Sequence, residues 1–277
     1  MALSSKEKTD LVAFAKEIRK ETLLCIAHLG LGHIGGSLSV ADILAYLYGK
    51  EMKIDPKNPQ SDKRDQLVLS KGHSGPALYA TLALKGFFPK EWLLTLNRGG
   101  TNLPSHCDRT KTPGIDMTTG SLGQGLSAAS GMALANKLSK KRTRVFVIIG
   151  DGETQEGQNW EAAMSAAKFK LGNLFAFTDN NRMQIDGKTS DVCKVEDLQA
   201  KWKAFGWDVY RVNGHSFTAI DSAMQKAKKV KSKPHMIILD TIKGKGGGER
   251  FENQVSSHNA TLTLEEANKI IKEVLNG

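Results

Sequence analysis

Residues 144–187 read RVFVIIGDGETQEGQNWEAAMSAAKFKLGNLFAFTDNNRMQIDG, and their pattern decides the fold. Val145 to Ile149 is apolar on both pleat faces, as in a strand buried in a parallel sheet with helices on both sides. Gly150-Asp151-Gly152 ends it. The glycines allow a tight turn and a close approach of backbone to a ligand, and Asp151 is left at the carboxyl edge of the sheet. From Glu153 a helical pattern follows, with Trp160, Ala163, Met164, Ala167 and Phe169 as its apolar stripe. Leu174 to Thr178 is the next strand, and Asp179-Asn180-Asn181 stands at its carboxyl end. A right-handed βαβ crossover brings both strand ends out on one side, so Asp151 and Asn181 can converge. One carboxylate, one amide oxygen and a nearby main-chain carbonyl form an all-oxygen set. Such a set suits Mg²⁺ or Ca²⁺ held jointly with phosphate oxygens.

Two nucleotide motifs are excluded. Gly152 and Gly157 have the spacing of a Walker A loop, but Gln158-Asn159 stand where its lysine and hydroxyl would be. Gly150, Gly152 and Gly157 miss the G-x-G-x-x-G spacing of a dinucleotide fingerprint.

At 277 residues the chain can bury one full α/β core, and a second complete domain is not expected. The opening MALSSKEKTD is charged where a signal peptide is apolar, and no run approaches the ~18 apolar residues of a membrane span, so a cytoplasmic protein is expected. Cys25, Cys107 and Cys193 are odd in number and far apart, which argues against a disulfide framework or zinc cluster. The 39 Lys+Arg against 29 Asp+Glu give a net charge of +10. These cations are spread over 137–144, 226–233 and 243–245 without aromatic interleaving, so nucleic acid is not the expected partner; a solvated basic face, an anionic cofactor, phosphorylated substrates or an acidic partner subunit explains them at lower cost.

Upstream of the central unit, 6–29 reads as an amphipathic helix, and the glycine-rich turn 30–37 presents His33 ahead of a second helix over 40–48. Gln66 to Ser70 is a strand with His73 just past its end, and a helix over 77–85 begins behind Pro76. Residues 97–119 form a long loop carrying His106; loops of this length inside a compact domain are usually functional. Gly120-Ser121-Leu122-Gly123 leads into a small-residue helix over 127–135, a favourable place for an anion. Downstream, helices over 195–205 and 216–231 alternate with strands over 207–212 and 236–240. This alternation predicts a doubly wound, mainly parallel α/β sheet flanked by helices. A last helix, 261–275, carries a Thr263–Glu266 capping box. His28, His215 and His235 read as helix, turn and strand-start residues.

The run of pieces GHIGGS, SKGHSGPALYA, SLGQGLS, GDGETQEG, DNNRMQIDG, AFGWDVYRVNGH and TIKGKG resembles the N-terminal, thiamine-pyrophosphate-binding half of transketolase over nearly the whole chain. The GDG and Asn-Asn pair separated by 27 residues matches the thiamine-pyrophosphate motif. The resemblance implies that Asp151, Asn181 and the Met183 carbonyl hold the metal, and the metal the cofactor pyrophosphate. It implies that His33 and His106 hydrogen-bond the donor sugar hydroxyls and that His73 lies between pyrophosphate and substrate. Gly120, Ser121, Leu122 and Gly123 would hold the pyrophosphate and aminopyrimidine edge, with Gly152 adding a phosphate contact. Ile185 would lie against the cofactor rings. Lys243 and His258 match cofactor- and substrate-facing positions, and Glu156 and Glu161 buried carboxylates that reach toward the partner half.

The implied reaction is transfer of a two-carbon ketol unit from a ketose to an aldose, with the cofactor as electron sink and histidines moving hydroxyl protons. A transketolase also needs a pyrimidine-binding domain, for which 277 residues leave no room. The expectation is therefore an N-terminal subunit that works with a separate C-terminal subunit in an α₂β₂ assembly. Pentose phosphates are the default substrates, with branched or sulfonated ketoses left open. A 1-deoxyxylulose-5-phosphate synthase or a 2-oxoacid dehydrogenase α subunit shares parts of the pattern, and a non-catalytic cofactor-binding module is the reading from another class. The GHIGGS and SKGHSGP histidines favour a sugar-handling enzyme.

Overall fold

The computed structural model describes residues 3–275. The chain opens with α1 (Ser5–Leu29), where the Ser4 hydroxyl accepts from the Glu7 N–H and the Glu7 carboxylate accepts from the Ser4 N–H. Gly30, at φ 90°, takes the left-handed conformation that ends it. Next come β1 (Leu31–Gly32), α2 (Ile34–Ser39) and α3 (Ala41–Tyr46), the last running on into a wider turn, Leu47–Glu51. Strand β2 (Gln66–Leu69) and α4 (Gly75–Leu84) precede the long loop, and α5 (Gln124–Leu138) follows it. The central unit is β3 (Val145–Gly150), α6 (Gly157–Lys168) and β4 (Leu174–Asn180). A hairpin of β5 (Met183–Gln184) and β6 (Gly187–Lys188) leads to α7 (Thr189–Val192) and α8 (Leu198–Ala204). Then come β7 (Asp208–Asn213), α9 (Phe217–Ala227), β8 (His235–Asp240), β9 (Ala260–Thr261) and α10 (Leu264–Ile270).

The five long strands form one parallel sheet in the order β2-β3-β4-β8-β7. Side chains alternate between its faces with the period of two that a strand imposes. Phe146, Ile148, Phe175, Phe177, Ile237 and Leu239 join a core with α1, α3, α4 and α9. Val145, Val147, Ile149, Ala176, Met236 and Ile238 join a second core with α5, α6 and α8. Both faces are therefore dry, which is why the central strands read as continuous apolar runs. The doubly wound architecture expected above is the one found.

Some element bounds move. The stretch after Gly150 is a 3₁₀ turn (Gly152–Gln155), and α6 starts only at Gly157. Its inward face is Asn159, Ala162, Ala163 and Ala166, while Met164 and Phe169 of the expected stripe are 56% and 47% exposed. The expected helix over 40–48 begins earlier, at Ile34, and bends at Val40. The helix expected over 216–231 stops at Ala227, and the one over 195–205 starts at Leu198, where Asp197 caps it. The Thr263–Glu266 capping box is present.

On the α6–α8 face Trp202 is fully buried between Trp160 and Trp207, with ring centroids 4.8 and 5.0 Å away. Trp160 and Trp207 donate their indole N–H groups to the Thr154 and Ala163 carbonyls; that of Trp202 has no partner among the described residues. Trp202→Ala is expected to destabilise the chain by ~3–5 kcal/mol in urea unfolding. Trp202→Phe, which keeps most of the contact and sheds an unpaired donor, is expected to cost less than half as much.

Candidate active site

The parallel register brings the strand ends level, pairing Gly150 with Asp179 and Asn180 with Asp240 across the sheet. Asp179 is fully buried there. Its carboxylate accepts from Lys71 Nζ (2.5 Å), Ser39 Oγ (2.6 Å), Thr241 Oγ1 (2.5 Å) and Asn181 Nδ2 (3.1 Å). These donors come from the loop after β2, from α2 and from the ends of β8 and β4. Burial pushes the Asp179 carboxyl up, but Lys71 and the hydroxyls hold it below the usual range. A buried charge is tolerated when paired and hydrogen-bonded in this way.

Asp151 is the contrasting case. It is equally buried, but among the described residues no cation lies within ion-pair distance. Burial, and the Asp179 charge beside it, push its carboxyl up to about 7. Its oxygens accept from the Gly152 N–H (2.8 Å) and the Arg182 N–H (2.5 Å). Arg182 reaches that position at φ 62°, an uncommon conformation for a non-glycine residue. Asn181 is oriented by its bond to Asp179 and accepts from the Met183 N–H (3.1 Å). A buried carboxylate lacking a cation, beside an amide oxygen and a main-chain turn, is a donor set that fits a hard divalent ion. Among the described residues no group of three or more His, Cys, Asp or Glu could hold a metal. A cation here would need the amide, the carbonyl and ligand oxygens.

Four histidines from four loops face this edge. The His33 ring lies 5.2, 5.9 and 5.4 Å from those of His73, His106 and His258, and His73 lies 5.1 Å from His258. His33 and His258 are brought together because β1 and β9 pair antiparallel. Gly35 and Gly36 let α2 approach: a Cβ on Gly35 would stand 2.3 Å from Ser257 Oγ, and one on Gly36 3.0 Å from Ser74 Oγ. Burial, reinforced by Lys71, holds His73 well below the usual imidazole range. Burial also lowers His33, and burial with Lys243 brings His258 to about 4. Three imidazoles that are neutral at pH 7 can donate or accept hydrogen bonds to sugar hydroxyls. Lys243, 1% exposed, is the free cation of the site: among the described residues it has no carboxylate partner, and burial lowers it to about 8. Its nearest polar neighbour is His258 Nδ1, at 3.5 Å.

The resulting cavity has a volume of about 390 Å³. All four histidines line it, with Gly120, Leu122, Asp151, Gly152, Glu156, Asn181, Met183, Ile185 and Lys243. Ser121 and Gly123 do not: Ser121 lies in an adjoining hollow with Gln124, and the Gly123 N–H is taken up by Glu153. Glu156 and Glu161, expected to be carboxylates that reach toward the partner half, are exposed in the chain by itself. The buried one is Glu153, which accepts from Ser70 Oγ and from the N–H groups of Gly123 and Gly150, both at 2.9 Å. It ties the Gly120–Gly123 loop to two strand ends. Sequence reasoning missed Glu153, Lys71 and Asp179. Their one signal was a charged residue at a strand end in an otherwise apolar setting.

Fold and site together define a doubly wound α/β domain with four histidines, a lone buried carboxylate and a lone buried ammonium around one cavity at the carboxyl edge of its sheet. The family model described as transketolase, thiamine diphosphate binding domain, matches residues 12–275, and the chain belongs to that family. It is 57% identical over 261 residues to a 6-deoxy-6-sulfo-D-fructose transketolase subunit of a Clostridium species, covering 94% of each chain. It is 40% identical to an apulose-4-phosphate transketolase subunit of Phocaeicola vulgatus, covering 92% of this chain and 90% of that one. Transketolase of Mus musculus is 38% identical, but the chain spans only 41% of its length. Among solved structures, transketolase of Campylobacter jejuni superposes with a TM-score of 0.89 at 32% identity over 99% of this chain and 43% of that one.

Lys71→Met would leave Asp179 buried without its cation, at an expected cost of ~3–5 kcal/mol near pH 8. In the wild type the depressed Asp179 carboxyl stabilises the fold above the unfolded-state value of about 4, and that contribution is lost on acidification. In the variant burial dominates and raises the carboxyl, so the cost exists only where Asp179 is ionised. The deficit in urea unfolding is therefore expected to shrink between pH 8 and pH 5.

Proposed function

We propose that the chain is the thiamine-diphosphate-binding subunit of a two-chain transketolase, completed by a separate pyrimidine-domain subunit in an α₂β₂ assembly. The observation that carries this is the convergence of His33, His73, His106 and His258 beside Asp151 and Asn181 in one cavity. Two relatives named as subunits match this chain over nearly their whole length, whereas whole transketolases are more than twice as long, which supports the split. Leu122 and Ile185, 38% and 64% exposed at the cavity mouth, fit a face that a partner covers.

Asp151, the Asn181 amide oxygen and the Met183 carbonyl would hold Mg²⁺ or Ca²⁺, and the metal with Lys243 and Gly152 the cofactor diphosphate. The bound cofactor supplies the nucleophilic carbon and the electron sink that ketol transfer needs. The chain itself contributes hydrogen bonds and proton transfer. His33 and His106 orient the donor hydroxyls, while His73 and His258 take or return the hydroxyl proton as the carbon–carbon bond breaks. The three unpaired cysteines, two of them buried, fit a cytoplasmic setting.

For the donor, the 57% identity to a sulfofructose transketolase subunit favours a ketose with a terminal sulfonate over the pentose phosphates. The test is to purify the tagged chain with its partner and assay ketol transfer to an aldose phosphate. Expected is activity that needs thiamine diphosphate and a divalent ion, and that prefers 6-deoxy-6-sulfofructose to fructose 6-phosphate by ~10-fold or more. Full activity of the chain alone would refute the split, and equal rates on both donors would refute the sulfonate. His33→Asn and His73→Asn should each lower kcat ~10²–10⁴-fold while the melting temperature of the cofactor-free complex stays close to wild type.

A further inference from the structure

The turn at Gly214-His215 follows β7 and packs against the loop that begins at Thr241. A Cβ on Gly214 would stand 2.5 Å from Thr241 Cγ2, so the two segments are in contact. His215 Nε2 accepts from the Ile242 N–H at 2.9 Å, and His215 Nδ1 lies 2.6 Å from Asp42 Oδ2. Since the amide must donate, Nε2 carries no proton and the ring proton sits on Nδ1, donated to Asp42. Asp42 is itself buried and accepts from Arg19 Nη1 (3.1 Å) and Nη2 (2.6 Å). Arg19 Nε in turn donates to the Lys245 carbonyl at 2.8 Å. One carboxylate thus orients two side chains that grip both ends of the stretch from Ile242 to Lys245. Between those grips the backbone is fixed again: the Gly244 N–H donates to the Gly35 carbonyl, and the Lys243 carbonyl accepts from the Asn253 N–H. The side chain so presented is Lys243.

We infer that His215, anchored by Asp42 and Arg19, is a positioning residue that sets the terminal loop so that the Lys243 ammonium stands in the cofactor cavity. The inference rests on the reading of that cavity as the thiamine diphosphate site. His215 does not itself line the cavity; it acts through the amide preceding Lys243. A loop of this glycine content, Lys243-Gly244-Lys245-Gly246-Gly247-Gly248, has little conformational preference and needs such external fixing.

The test is a double-mutant cycle on the two-subunit complex, reading thiamine diphosphate affinity by calorimetry alongside melting of the cofactor-free form. His215→Gln keeps an acceptor near the Nε2 position, whereas His215→Asn keeps only the group that faces Asp42. H215N is expected to raise the cofactor Kd ~10-fold, the worth of one buried hydrogen bond, and H215Q ~3-fold or less. In a Lys243→Met background H215N should add less than ~2-fold, because the two residues act in series. Should H215N not assemble, Asp42→Asn, which loosens the ring's anchor, enters the same cycle with the same expectation. The inference is overturned if H215Q binds as poorly as H215N, if H215N binds like wild type, or if its effect is undiminished in the K243M background. Failure of the wild-type complex to bind the cofactor would instead sink the reading of the cavity, and the inference with it.

Discussion

Four segments of the carboxyl edge are tied to one carboxylate. Asp179 lies at the end of the central strand β4, fully buried, and draws in Lys71, Ser39, Thr241 and Asn181. An ionised group so placed is stable only if donors surround it, and the donors it gathers belong to the loops that carry the site. Lys71 is two residues from His73, Thr241 two from Lys243, and Asn181 is itself a metal-ligand candidate. The geometry of the cavity is thus a consequence of satisfying one buried charge. Glu153 has the same part on the other flank, fastening the Gly120–Gly123 loop to β2 and β3.

Beside these two satisfied carboxylates stands Asp151, with two amide donors and, among the described residues, no cation. The difference separates framework from site. Asp179 is balanced by a lysine and Glu153 by a hydroxyl and two amides, whereas Asp151 keeps only two amide donors. Lys243 is the mirror image, a buried ammonium with no carboxylate among the described residues, facing the same cavity. A lone buried carboxylate and a lone buried ammonium, with neutral imidazoles between them, thus line one cavity.

The sheet was legible because both its faces are covered. Val145 to Ile149 and Leu174 to Phe177 had no polar residue to obscure their type, and the strand ends were marked by Gly150-Asp151 and Asp179-Asn180-Asn181. The four histidines were legible one at a time, as glycine-flanked or loop-borne residues; their convergence depends on the pairing of β1 with β9, two dipeptides too short to show a period. Met164 and Phe169 were misplaced because apolar type alone drew the stripe: the face of α6 that packs inward is made of small residues and Asn159, and Phe169 lies past the helix end. Glu153, inside the 3₁₀ turn, is buried, a placement that a helical reading from that residue does not show. His215 looked like an ordinary turn residue because its partners, Asp42 and Ile242, lie far from it in the chain and meet it only through the fold.

We propose that Asp151 and Asn181 hold a divalent ion that carries the cofactor diphosphate. A crystal of the chain grown with thiamine diphosphate and Mn²⁺, a scatterer replacing Mg²⁺, tests this directly by anomalous diffraction. Expected is one peak within bonding distance of an Asp151 carboxylate oxygen, the Asn181 amide oxygen and the Met183 carbonyl, with diphosphate oxygens completing the shell and Lys243 beside them. A diphosphate bound with the metal elsewhere, or with Asp151 still facing only its two amides, would contradict it.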